Sequence, residues 1–186
     1  MSSDSFSCDA TSDLTDVTIL HWVPSQHETE LMKRTFSYDF DFLYKVGASI
    51  FTYIFENHPK TKELFPSMIQ YGDNWKHSKE FLLFSTKFAQ VLSHAVKNVA
   101  QIDTITAPLY SIGAMHTDFE PRGFHARYWN MFVDAMGMTM RKTIEPMTTL
   151  SSGEKSEAVM VWRRLAHFVI SHMKRGFNDR KNGMIK

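Results

Sequence analysis

One histidine of the nine in this 186-residue chain stands in a context that could do chemistry. His116 ends the run Pro108-Leu-Tyr-Ser-Ile-Gly-Ala-Met-His116, and aromatic residues precede it at fixed distances. Asn57-His58-Pro59 leads to Phe65, and a long amphipathic pattern then carries Phe84 and Phe88, with Phe84 standing 32 residues before His116. That layout builds a flat apolar slot with one imidazole facing into it. A neutral imidazole offers a metal its ring lone pair, while aromatic walls hold a flat, apolar group. Read alone, His116 is a surface histidine before the Thr117-Asp118 turn; the spacing around it favours the ligand.

The elements that must position these residues read as helices throughout. Ser25-Gln-His-Glu28 is a capping-box signature opening a first helix with Leu31, Met32 and Phe36 at helical spacing. Leu43, Gly47, Ile50, Phe51, Ile54 and Phe55 repeat with a period near 3.6 residues and predict a helix from about Phe40 to Asn57. Gly47 inside it costs about 1 kcal/mol relative to Ala, which points to the close approach of another helix. Pro59 stops this helix and suits the first turn of a short one ending near Phe65. The next helix is predicted from about Trp75 to Ala100, and a short one from Thr106 with Pro108 in its first turn. Phe119-Glu-Pro-Arg-Gly123 reads as a turn, followed by a helix carrying Phe124, Tyr128, Met131 and Phe132. Ser151-Ser-Gly-Glu154 opens the last helix as a second capping box, with Gly176 as its expected stop. No alternating pattern competes, so the fold class is all-α, with seven or eight helices. Residues 1–24 read as a flexible extension, 25–180 as one domain and 181–186 as a tail.

Composition narrows the function. Fifteen Phe and twelve Met in one domain imply a large aromatic core with flexible filler that tolerates an irregular cavity. The net charge of +1 comes from interleaved acids and bases, with neither a basic stripe for nucleic acid nor a polybasic membrane segment. The single cysteine, Cys8, allows no internal disulfide, in keeping with a reducing compartment. The first residues lack the pattern of a signal peptide and the glycine that myristoylation needs. No stretch approaches the roughly 20 apolar residues of a membrane span. The expectation is a cytoplasmic protein that binds neither nucleic acid nor membrane, with homodimerisation left open.

Five segments in order resemble the globins, in particular the nematode intracellular, neuroglobin- and cytoglobin-like group. They are Gly47-Ala-Ser-Ile-Phe-Thr-Tyr-Ile-Phe-Glu-Asn-His-Pro59, Lys62-Glu-Leu-Phe65, Lys87-Phe-Ala-Gln-Val-Leu92 with Val96-Lys-Asn-Val99, Ser111-Ile-Gly-Ala-Met-His116, and Trp162-Arg-Arg-Leu continuing to Met173-Lys-Arg-Gly-Phe177. The resemblance covers roughly residues 25–180. It implies the globin fold around a pocket for haem b, iron protoporphyrin IX, with His116 as the proximal iron ligand. The other nitrogen of that imidazole needs an acceptor, expected at a carbonyl one turn back near Ile112. Phe65 takes the place of the phenylalanine that stacks on the porphyrin. Phe51 and Phe88 roof the gas-binding side, Lys87 meets a propionate, and Ile112 and Phe124 complete the cofactor-binding set.

The departure from the family pattern is Phe84, standing where many globins carry a distal histidine or glutamine. It can neither donate a hydrogen bond nor ligate iron. A rival register makes His77 the distal ligand of a six-coordinate, bis-histidyl iron suited to electron transfer, and a third option uses Lys87 as that ligand. The implied function is binding of a diatomic gas (O2, CO or NO) for oxygen storage, transport or sensing, without enzyme activity. The redox reading is the alternative. A nitric-oxide dioxygenase-like or peroxidase-like side activity would draw on an external electron donor, because no reductase domain accompanies the helices.

Overall fold

Both capping boxes form, and they start the helices Gln26–Arg34 and Ser152–Lys181. In the computed structural model, which describes residues 18–185, the Ser25 hydroxyl accepts from the Glu28 amide at 3.1 Å while the Glu28 carboxylate accepts from the Ser25 amide at 2.8 Å. Ser151 and Glu154 repeat the arrangement. The Ser151 amide, together with the Arg34 guanidinium 2.7 Å away, holds the Glu154 carboxyl down to about 2. The helices in order are α1 (Gln26–Arg34), α2 (Phe40–Asn57), α3 (Pro66–Ile69), α4 (Lys79–Lys97), α5 (Thr106–Met115), α6 (Trp129–Ile144) and α7 (Ser152–Lys181), joined by 3-10 turns. No strand occurs among the described residues. Cys8 and the Ser-rich start of the expected extension lie outside them.

Helix α7 is the spine. Its 30 residues span about 45 Å at the usual helical rise, and α1, α5 and α6 all pack along it. Trp162, fully buried on α7, donates its indole N–H to the Thr35 hydroxyl at 2.9 Å; Thr35 passes a hydrogen bond to the Leu31 carbonyl at 2.7 Å. This buried relay pins the end of α1 to the middle of α7 with no polar atom left unpaired. Residues 18–23 also lie on α7: Ile19 and Trp22 pack against the core, Trp22 edge-on to Phe168 at 6.0 Å, and His172 Nε2 meets the Leu20 carbonyl at 3.3 Å.

Two helix crossings depend on missing side chains. At Gly47 a Cβ would stand 2.4 Å from the Ser85 carbonyl oxygen, so α2 and α4 touch backbone to backbone, as the sequence predicts for that glycine. The closer crossing joins α5 and α7. A Cβ on Gly113 would stand 1.9 Å from the Met173 oxygen, and one on Gly176 would stand 1.9 Å from the Tyr110 oxygen.

The second of these corrects the sequence reading. Gly176 does not stop α7; it is buried inside a helix that continues to Lys181, and its role is to admit α5. Two other boundaries move. Helix α4 starts at Lys79 rather than near Trp75, because the Ser78 hydroxyl donates to the Trp75 carbonyl at 2.8 Å and caps the Phe81 amide at 3.1 Å. Helix α6 starts at Trp129, since Gly123 takes a left-handed φ of 89° and breaks the chain before Phe124.

Candidate functional site

Helix α4 lies on α2, and α5 lies on α7, while α4 and α5 stand apart from one another. The groove between them measures about 410 Å³, within the range of small-molecule sites. Lys87, Gln90, Val91, His94 and Ala95 line it from α4, and Ile105, Pro108, Leu109 and Ile112 line the other wall. Val91, an apolar residue left 39% exposed, owes that exposure to the groove.

His116 sits at the end of the α5 wall. Its Nδ1 lies 2.8 Å from the Ile112 carbonyl oxygen, the acceptor expected one turn back. A carbonyl can only accept, so Nδ1 carries the proton and Nε2 carries the lone pair. Burial pushes the imidazole pKa down, opposed by the hydrogen bond to Ile112, so the ring stays neutral at ordinary pH. The rings of Phe119, Phe124 and Trp129 surround it with centroids 5.5, 5.3 and 5.3 Å away. This cage fixes the plane of the imidazole. Phe124 is one of the residues singled out in the sequence; Trp129 and Phe119 are additions.

The phenylalanines form a single pile. Phe84 lies 4.0 Å from Phe51 and 4.5 Å from Phe65, centroid to centroid. Phe88 meets Phe51 edge-on at 5.3 Å. Phe55 joins through Phe65 at 5.3 Å, and Phe132 through Phe88 at 5.3 Å. The four residues Phe51, Phe65, Phe84 and Phe88 are thus brought together, and Phe132 of α6 extends them. Trp129 and Phe132 stand three residues apart on the buried face of α6, with Val133 and Met136, so helical spacing could have found both.

Lys87 stands exposed on the groove rim, three residues along α4 from Phe84. His77 lies outside α4, exposed in the preceding 3-10 turn, whose Trp75 is buried against Phe55 and Phe81. Among the described residues no three His, Cys, Asp or Glu side chains gather to hold a metal ion. The His116 imidazole in its aromatic cage offers a single ligand atom. The residues fit the haem that the resemblance implies: a lone pair at Nε2, an apolar groove beside Ile112, and an ammonium at its rim for a carboxylate.

The family model for globins matches residues 48–173, about two thirds of the chain, from the middle of α2 to Met173. The chain belongs to the globin family. This globin is 23% identical over 141 residues to the globin-related protein glb-13 of Caenorhabditis elegans, a match covering 76% of the chain and 47% of that protein. The chain thus spans about half the length of the curated relative it matches. Its fold resembles the crystal structure of a hexacoordinated haem protein from an anhydrobiotic tardigrade, with a TM-score of 0.66 at 15% identity, covering 83% of this chain and 96% of that one. No helix among the described residues is long and apolar enough to cross a membrane.

Proposed function

We propose that this globin binds haem b through Nε2 of His116 and takes a diatomic gas on the opposite face, for oxygen storage or sensing. The observation that carries the reading is the His116–Ile112 hydrogen bond, which leaves a neutral imidazole with one free lone pair in an aromatic cage beside the α4–α5 groove. When bound, haem would be held by His116 and would supply an iron able to bind O2, CO or NO. The chain's own residues do the rest. Ile112 fixes the tautomer of His116 and makes the ring a better donor. Phe51, Phe84 and Phe88 exclude water from the gas-binding side and offer no hydrogen-bond donor there. Lys87 at the groove rim is the cation for a propionate.

Addition of haem to the purified protein tests this directly. A Soret band in the wild type and its loss in His116→Ala are expected. A wild type that takes up no haem overturns the reading. The fold shared with a hexacoordinated haem protein raises the six-coordinate redox reading as the alternative, with His77 as the second ligand. The ferrous visible spectrum separates the two: one broad band marks an open site, and sharp split bands without added gas mark a second protein ligand. Nitric-oxide consumption, with a reductant supplied, no faster than that of free haem rules out a dioxygenase role.

A further inference from the structure

The last two turns of α7 hold the segment that carries His116 from Tyr110 to Glu120. The Gly113–Met173 and Gly176–Tyr110 contacts bring the two backbones together. Beyond them, the Tyr110 hydroxyl donates to Asp179 at 2.8 Å, and Lys181 donates to Glu120 at 2.6 Å. Arg180 brackets the histidine itself. Its Nη1 donates to the Ala114 carbonyl at 3.1 Å, two residues before His116, and its Nη2 lies 2.9 Å from the Asp118 carboxylate, two residues after it.

Local structure does not explain why this bracket is needed unless the segment is otherwise loose. Helix α5 has only ten residues, and isolated helices of that length are marginal in water. It gives way at His116 to a 3-10 stretch that contains Pro121, where hydrogen-bond geometry is poorer. The His116–Ile112 hydrogen bond spans this junction, so any change in pitch between residues 112 and 116 breaks it or turns the ring. A planar guanidinium with two donors on one rigid fork is suited to fixing that pitch. The fork itself is anchored on a helix pinned elsewhere by Trp162.

We propose that Arg180, supported by the Tyr110–Asp179 hydrogen bond, is the positioning residue that holds His116 in its Nδ1-protonated, Nε2-free geometry. Its consequence for iron binding rests on the haem reading above, but the geometry itself is readable without haem.

Two readouts test it. In the haem-free protein, the ring 15N shifts of His116 report the tautomer. Arg180→Ala should move them from a single Nδ1–H form toward a mixture and speed amide exchange at residues 114–118. Arg180→Lys, which keeps one donor, should restore part of both. Asp118→Asn and Tyr110→Phe, each altering one partner at the segment's surface, should give smaller shifts in the same direction, and they serve where Arg180→Ala unfolds. Asp134→Ala, which removes the Arg163 ion pair on the same helix, should change neither. In the haem-loaded protein, the iron–imidazole stretch seen after CO photolysis should broaden and shift in Arg180→Ala and recover in Arg180→Lys. Unchanged ring shifts and exchange in Arg180→Ala, Asp118→Asn and Tyr110→Phe overturn the proposal. Failure of the wild type to take up haem counts against the haem reading alone, and the ring shifts then decide.

Discussion

Phe51 of α2 and Phe84 of α4 lie with ring centroids 4.0 Å apart and planes tilted by 44°, so the side proposed for the gas is hydrocarbon. Bound dioxygen draws electron density from iron, so it gains from a hydrogen-bond donor that carbon monoxide needs far less. Neither ring supplies one. Phe84→Gln places an amide N–H at that position, worth about 1 kcal/mol as a neutral hydrogen bond. Oxygen dissociation should slow about fivefold, with CO dissociation changed much less. Stopped-flow displacement of oxygen by CO, and of CO by NO, measures the two rates. Equal slowing of the two gases would show that Phe84 acts through bulk and not through polarity.

His77→Ala should leave the ferric, ferrous and CO spectra unchanged, because His77 is exposed in a turn outside α4. His116→Gly should lose haem, and added imidazole should restore the Soret band by filling the space between Phe124 and Trp129. A His77→Ala protein whose split ferrous bands collapse to one broad band would instead establish the six-coordinate reading.

The sequence made much of this visible, for identifiable reasons. Ser25/Glu28 and Ser151/Glu154 are local motifs, and a capping box needs only four residues to declare itself. The gathering of Phe51, Phe65, Phe84 and Phe88 follows from period and order along three segments. The α5–α7 clamp was not legible. Gly176 has the local signature of a helix end, after Lys174-Arg175, and only the position of Tyr110 shows that it is a crossing point. Arg180 and Asp118 are 62 positions apart in a chain rich in both charges, and no local pattern pairs them. Trp129 meets His116 at 5.3 Å from the far side of the left-handed turn at Gly123, a contact the helical period of α6 alone does not specify.

Acid should loosen the haem-free protein through His172. Burial lowers its pKa below the ordinary value near 6.5, with Arg175 and His21 adding to the shift and the Leu20 carbonyl and Asp103 opposing it. A depressed folded pKa means that the unfolded chain takes up the proton first. Stability should therefore be level above about pH 7.5 and should fall as pH drops through 6.5 toward the folded value. His116, lowered chiefly by burial, acts in the same window. His172→Gln removes one of the two groups, so urea midpoints measured from pH 8 to pH 5 should show a shallower decline than the wild type. An identical slope would place the acid sensitivity elsewhere.

The glycine crossing supplies the steepest stability effect. In an ordinary helix interior, Gly→Ala gains about 1 kcal/mol from propensity. At Gly113 the added methyl would stand 1.9 Å from the Met173 oxygen, and at Gly176 the same distance from the Tyr110 oxygen, both backbone atoms that cannot rotate away. The helices must separate, at a cost typical of overpacking, about 1–3 kcal/mol or more. Urea denaturation of the haem-free Gly113→Ala and Gly176→Ala proteins should show a net loss, whereas exposed Gly153→Ala in the first turn of α7, with nothing within 4 Å of its Cβ, should be neutral or stabilising. Because α5 carries His116, the two crossing variants should also release haem faster than the wild type when apomyoglobin is added as an acceptor. Wild-type release rates in both would show that α5 can shift on α7 without moving the imidazole.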